Sequence, residues 1–376
     1  MLSTDLLKEA DRVMTVCNAC RYCEGFCAVF PAMELRRTFS EKDLKYLSNL
    51  CHNCRACYYA CQYAPPHEFA LNVPRTLGEL RLETYKEFSW PTALKGVFDA
   101  NGAAVLLAAS LSVLAVLLLT LLSRGSEVFF GFHTGAGAFY QVIPYSAMVL
   151  PFTLLGLFVL VSLWKGVENF WRAMGSTPAE WLDPRANLAA IRAVLRLRYL
   201  DGGSSHGCNY PDERFSMTRR YFHHATFYGF MLCLASTTTA AIYDHILHLP
   251  APYPFWSWPV VMGTAGGLSL IVGTSGLLYL KAKMDKAPAT PGSFAMDVGF
   301  TLLLFSTSLT GLLLLLLRST PFMGTLLSVH VGLVLALFIT MPYGKFVHAI
   351  YRYAALVQNA IEQSRDEAET KERNKQ

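Results

Sequence analysis

The sequence predicts a mostly α-helical protein in two parts, a cysteine-rich helical domain followed by a six-helix transmembrane bundle. Three observations predict it. Hydrophobic residues make up 53% of the 376 residues and charged residues 16%, against roughly 25% charged in an average soluble domain. Eight of the ten cysteines lie before residue 62. Six later stretches are long and apolar enough to cross a bilayer, which takes about 20 such residues.

Residues 1–95 form the first part. Leu2, Leu6, Ala10 and Val13 recur at helical spacing, as a short amphipathic helix would show. Asp5, Lys8 and Glu9, with no apolar run before the first cysteine, argue against a secretion signal. The domain is therefore expected to stay in the cytoplasm. In that reducing compartment clustered cysteines are metal ligands or redox groups rather than disulfides.

The cysteines carry the strongest pattern. Cys17, Cys20, Cys23 and Cys27 form C-x2-C-x2-C-x3-C, and Cys51, Cys54, Cys57 and Cys61 repeat it. This is the bacterial-ferredoxin ligand run for [4Fe–4S] clusters, in which the fourth cysteine ligates the other cluster. The spacing thus predicts two clusters, one on Cys17, Cys20, Cys23 and Cys61, the other on Cys51, Cys54, Cys57 and Cys27. Two all-cysteine zinc sites are the competing reading; a disulfide scaffold conflicts with the compartment. Pro31 and Pro65 stand four residues after each fourth cysteine instead of directly after it. Residues 28–50 include a Ser40/Asp43 helix start, so the helical two-cluster ferredoxin-like variant is expected over the β-hairpin type. His52 and His67 flank the runs, as groups that hydrogen-bond to a cluster or as plain domain surface.

Residues 96–360 alternate apolar segments with short polar connections. The spans fall near Ala103–Leu122, Tyr145–Trp164, Tyr221–His245, Phe255–Leu280, Phe294–Leu317 and Pro321–His348. The third carries Thr237, Thr238 and Thr239, which predicts burial among neighbouring helices. Basic residues orient the bundle. The 165–220 loop holds nine, Lys281, Lys283 and Lys286 follow the fourth span, and the C-terminal region adds Lys345 and Arg352, against Arg124 and Arg318 on the other side. Both termini are therefore expected in the cytoplasm, with the bundle in the cytoplasmic membrane. The net charge of +5, gathered in these loops, implies the lipid bilayer as partner and no nucleic acid.

Inside the long loop, residues 184–200 read as a basic amphipathic helix with Leu188, Ile191, Leu195 and Tyr199 on one face. It either rests on anionic lipid or docks a partner subunit. Asp201-Gly202-Gly203-Ser204-Ser205-His206-Gly207 reads as a flexible loop, with Cys208 in it, and Cys233 as a small packing residue of the third span. The tail 361–376 is charged, and disorder is expected from Glu362 onward.

Histidines within spans face a bundle interior, and two facing histidines can clamp a b-type haem. His223, His224 and His245 lie on the third span, His330 and His348 on the sixth. Eighteen residues separate the last two, five turns of one helix, so both rings are expected on one face about 27 Å apart. Topology pairs His223 or His224 with His348 on the cytoplasmic side, and His245 with His330 on the other. One haem or two fit this layout. His133, His206 and His248 read as loop residues.

At these residues the chain resembles the tricarballylate- or citrate-utilisation protein B family. The resemblance rests on Cys20-Arg21-Tyr22-Cys23-Glu24-Gly25-Phe26-Cys27, on the Cys51–Cys61 run followed by Pro65-Pro66-His67-Glu68, and on the six spans. The histidine-bearing spans also resemble the cytochrome b subunit of respiratory nitrate reductases, where one helix carries a pair spaced like His330 and His348. The resemblance implies a partner, an FAD-dependent dehydrogenase that oxidises tricarballylate to cis-aconitate. Its reduced flavin would give electrons to this chain, which would pass them through the clusters and haem b to membrane quinone. The alternative, which relatives of this family also serve, is the electron-transfer subunit of another membrane redox complex, heterodisulfide-reductase-like or corrin-modifying. The chain has no G-x-G-x-x-G fingerprint after a strand, so the flavin belongs to the partner. No unwound, paired half-helices point to a transporter.

Overall fold

A computed structural model describes residues 4–202 and 206–375. The predicted helical position Leu2 and the loop residues Gly203, Ser204 and Ser205 lie outside them. The described residues form helices and one two-residue hairpin, Cys208–Asn209 against Phe215–Ser216.

The cysteine-rich part is helical, as expected. Helix α1 (Thr4–Cys20) carries Cys17 and Cys20 in its last turn, α2 (Val29–Glu34) follows the first run, and α3 (Glu41–Leu50) ends where the second begins. The predicted start of α3 is a capping box, with Ser40 and Asp43 satisfying each other's backbone. Helix α4 (Ala56–Tyr59) lies inside the second run, and α5 (Val73–Phe88) opens under an Asn72 cap that accepts from the Arg75 N–H at 3.2 Å.

Among the described residues, six helices are long and apolar enough to cross a membrane. They include α6 (Asn101–Phe129), which breaks at Gly125 where φ is 78°, a conformation glycine adopts freely. After the short α7 (Ala138–Val142) comes α8 (Tyr145–Ala173). Two further short helices, α9 (Pro178–Trp181) and α10 (Pro184–Leu195), precede α11 (Thr218–His245) and α12 (Trp258–Lys283). Then come α13 (Phe294–Leu317), α14 (Met323–Thr340) and the final α15 (Val347–Arg373). Helices α11 and α12 pack closely because glycines leave room: a Cβ on Gly229 would lie 2.9 Å from the Gly266 carbonyl. Further contacts run α12 to α13, α13 to α14, and α14 to α6. Leu106, Leu119 and Leu122 of α6 point outward, where lipid would meet them.

Both ends of the bundle are tied. At the far end the Gly137 N–H donates to the Ala251 carbonyl and Arg318 to the Tyr253 carbonyl. At the near end Asp297, in the first turn of α13, is gripped by Lys281 of α12 and by Lys345, at 2.5 and 2.6 Å. The cysteine-rich part sits on this near end and shares its core. Tyr85 and Phe88 of α5 stack with Phe170 of α8 and Tyr351 of α15, so no boundary in the packing marks residue 95.

Four expectations change. The third span is not buried among its neighbours: Thr237 and Thr238 lie exposed, their hydroxyls donating to the Cys233 and Leu234 carbonyls. The sixth span does not continue to His348: α14 stops at Thr340, a short 3-10 turn holds Pro342, and Gly344 is extended before α15 begins. Proline lacks the N–H that would continue the ladder. His330 and His348 are therefore on separate helices, and the single-face argument for them fails. Residues from Glu362 are helical to Arg373 instead of disordered, since Glu, Ala, Lys and Arg favour helix and side chains pin them: Glu362 pairs with Arg36, and Arg365 with Glu180. The amphipathic helix ends at Leu195, because Leu197 turns left-handed at φ 45°. Its Ala186 and Ala190 are buried and it packs on α15, while Leu188, Ile191 and Leu195 face outward. Tyr199 leaves that stripe and packs on His52, ring centres 5.2 Å apart.

Candidate functional site

The two cysteine runs fold alike. Arg21 follows Cys20 and Arg55 follows Cys54, and both backbones turn left-handed there, at φ 55° and 68°. Such angles cost a non-glycine residue about 1 kcal/mol or more. They reverse the chain so that the thiols of one run face inward, instead of following one helix face.

Cys17, Cys20, Cys23 and Cys61 line one cavity of about 220 Å³, and Cys57 lines it too. Cys27, Cys51, Cys54 and Cys57 line a second, of about 10 Å³. The fourth cysteine of each run thus joins the three leading cysteines of the other. Burial, reinforced by neighbouring Cys61, Cys23 and Cys20, pushes the Cys17 thiol up to about 12. Burial, with Cys54 and Cys51 beside it, raises Cys27 as well. Mutual repulsion between gathered thiols is relieved once they become thiolate ligands of a cationic core.

Do these residues fit two [4Fe–4S] clusters? Among the described residues no three donors converge as around a single metal ion. A cubane does not need that, since its four thiolates bind separate irons. The first cup has the donors and the room. The second has the four donors on its wall but only about 10 Å³ of room, so holding a cube would turn the side chains outward. Its surroundings also fit in charge. Arg55 and Arg81 are buried beside it, and Arg219 and Arg352 are half-buried. Their hydrogen-bond partners include the carbonyls of Asp285, Cys51 and Asn53, and none of the four forms an ion pair with a carboxylate among the described residues. Uncompensated positive charge at a buried site is costly unless an anion joins it, and a cubane held by four thiolates is anionic.

The second cup is bound to the membrane helices through its backbone. The Cys51 carbonyl accepts from Arg81 at 2.6 Å and from Arg352 of α15 at 2.9 Å. The Asn53 carbonyl accepts from Arg219 of α11 at 2.6 Å, and the Cys54 carbonyl from the Asn209 N–H at 3.1 Å. His52 lines this cup, its Nδ1 2.8 Å from the Leu50 carbonyl. Burial, with Arg352 nearby, holds its imidazole well below the usual range. His67 lies instead in an exposed group with Tyr63 and Phe69. Cys208, expected in a mobile loop, is fully buried, its thiol 3.2 Å from the Leu200 carbonyl, and it neighbours Cys54. Cys233 packs against Gly266, as expected.

The membrane histidines divide. His223 of α11 and His348 of α15 meet with ring centres 6.4 Å apart and ring planes at 76°. Two metal–nitrogen bonds of about 2.0 Å plus the ring radii come close to that separation. His223 Nδ1 is buried without a partner, whereas His348 Nδ1 lies 2.5 Å from the Lys345 carbonyl, leaving its Nε2 for a ligand. This pair fits an iron clamped between two imidazoles. His224 turns toward Tyr228, and its Nε2 is also buried without a partner, so the contact with His348 and not the orphaned nitrogen sets His223 apart. The expected outer pair is not brought together. His245 Nδ1 is 2.5 Å from the Tyr145 hydroxyl, and His330 Nδ1 is 3.1 Å from Thr310 Oγ1.

Sequence reasoning took Arg219 and Arg352 only as votes on orientation. Their signal was present: Arg219 precedes His223 by four residues and Arg352 follows His348 by four, one helical turn in each case.

Comparison with known proteins agrees with this architecture. The family model described as Citrate utilization protein B matches residues 97–369, and that described as Citrate utilization protein B Fer4-like domain matches residues 10–87. A protein of Escherichia coli named Citrate utilization protein B is 49% identical over 361 residues, covering 95% of this chain and 93% of that protein. No solved structure matches.

Proposed function

We propose, from the premise that this chain belongs to the citrate utilization protein B family, that it is a membrane-bound electron-transfer protein linking a flavin dehydrogenase to quinone. Its electron donor is the reduced FAD of a separate tricarballylate or citrate-related dehydrogenase, and its acceptor is quinone in the bilayer. Its redox groups are two [4Fe–4S] clusters, on Cys17, Cys20, Cys23 and Cys61 and on Cys27, Cys51, Cys54 and Cys57, and one haem b on His223 and His348. When bound, these groups each take up and release one electron at a time, which matches a two-electron flavin to a quinone.

The chain's own residues do the placing. The left-handed turns at Arg21 and Arg55 aim the thiols. Lys345 orients the His348 ring through its carbonyl. The near end of the bundle, which carries the nine basic residues of the 165–220 loop, faces the cytoplasm in this reading, so the first cup is open to a soluble dehydrogenase. The observation that carries the proposal is the contact between cup and helices: backbone carbonyls of Cys51 and Asn53 are held from one helical turn away from His348 and His223.

Purified chain with its cofactors, in lipid nanodiscs with a soluble quinone analogue, tests it. The expected result is about eight irons and one haem per chain, a haem band in the reduced-minus-oxidised spectrum, and quinone reduction when a reduced flavoprotein is added. Intact clusters without quinone reduction would overturn the assignment.

A further inference from the structure

The two cups sit in opposite electrical surroundings. Charged neighbours of the first run are Arg21, Glu24 and Glu34, and both glutamates interact with Arg21 or each other across a partly exposed surface. Around the second run stand Arg55, Arg81, Arg219 and Arg352, with His52. Arg55 and Arg219 also sandwich the Tyr210 ring, 4.5 and 4.8 Å from its centre, which fixes both guanidinium groups in place. Two carboxylates stand on this side: the Asp285 Oδ2 accepts from the Tyr59 hydroxyl at 2.8 Å while Arg55 donates to the Asp285 backbone carbonyl, and Asp201 lies near Cys208 and Tyr199.

One-electron reduction of a [4Fe–4S] cluster breaks no bond and adds one negative charge to the cluster. Fixed positive charge in a low-dielectric site favours that reduced form, and hydrogen bonding and burial around a cluster set its potential. Resting on the cluster assignment above, we propose that Arg219 and Arg352 are positioning residues that raise the potential of the second cluster above that of the first. Electrons from a reduced flavin would then enter at the solvent-facing first cup and collect at the second, beside His223 and His348. The same two guanidinium groups fix the distance, because each binds a carbonyl of the Cys51–Cys54 segment from a helix that carries one histidine of the pair.

The test is a mediated dithionite titration of the full chain in nanodiscs, followed by electron paramagnetic resonance, with iron counted per chain. Cys20→Ser, in the first cup, identifies which signal belongs to which cluster. Wild type is expected to show two reduced-cluster signals, the second cup's at the higher midpoint. Arg352→Gln and Arg219→Gln are expected to lower that midpoint and leave the other in place, and Arg352→Lys, which keeps the charge, to restore most of it. If Arg352→Gln lost the second cluster while Arg352→Lys kept it, the tie would be supported and the midpoint read in Arg219→Gln. Eight irons with unmoved midpoints, or with both moved equally, would overturn this proposal alone. A wild-type chain without iron would overturn the cluster assignment beneath it as well.

Discussion

Five histidines drew attention in the sequence, and their partners now separate them. His245 is exposed and His330 partly buried, and each has a local hydroxyl, from Tyr145 and Thr310, so neither needs a ligand. His223 has a buried nitrogen with nothing to bind, and it faces His348. Burial, with Lys345 and Arg352 nearby, keeps His348 well below its ordinary pKa, and a neutral imidazole is the form that binds metal. His348→Ala is therefore expected to abolish the haem band in a reduced-minus-oxidised spectrum, while His245→Ala and His330→Ala leave it unchanged. Loss of the band in His330→Ala with retention in His348→Ala would reverse the assignment. The eight cysteines were legible from spacing alone, because three thiols at intervals of three residues have few other uses. The histidine pairing was not, since it depended on where a helix ended.

At the scale of elements, propensity located helices better than it located their ends. All six spans lie where apolar length put them. The break after Thr340 was carried by Pro342 and Gly344, which a hydropathy reading passes over. The tail failed in the opposite sense: charge suggested disorder, but tertiary contacts order it. Arg36 bridges Asp43 of α3 at 2.7 Å and Glu362 of α15 at 2.6 Å, and caps the Ala32 carbonyl at 2.6 Å. Arg36→Ala takes the cationic partner from two largely buried carboxylates, leaving Asp43 with Ser40 and Glu362 with Gln358, a loss of about 1.5–3 kcal/mol. The expected readout is faster amide exchange and proteolysis over residues 361–373, with the spans unaffected. The Arg36–Asp43 contact should also survive mild acid. Burial works against the Asp43 carboxylate, yet hydrogen bonds from Ser40 and Arg36 hold its pKa below the usual value. A depressed carboxylate contributes stability above its unfolded pKa and loses it as pH falls through its folded one. At pH 4, where ordinary carboxyl groups are half protonated, the start of α3 in the wild type should still be protected from amide exchange.

On the scale of the molecule, the two parts that composition separates pack around one shared core. Residues 17–73 supply every residue that lines the first cup. The second cup depends on partners from beyond residue 200: Asn209, Arg219 and Arg352 hold its carbonyls, and Asp285 holds Arg55. The apolar core is shared in the same way, with Phe170, Trp171, Tyr351 and Ala354 closing the hydrophobic face of α5 and α3. Removing the bundle uncovers that face, at about 1.5–3 kcal/mol for each large side chain exposed. It also leaves the carbonyls of Asn53 and Cys54 without the donors that shape the turn. A segment of residues 1–95, reconstituted with iron and sulfide, is therefore expected to retain about four irons, in the first cup. Cys54→Ala in that segment should change nothing, and Cys20→Ala should remove the remaining cluster, both read by iron count and paramagnetic resonance. Eight irons held by the segment as firmly as by the full chain would mean that the second cup shapes itself. The ties to α11 and α15 would then fix only where that cup sits above the bundle.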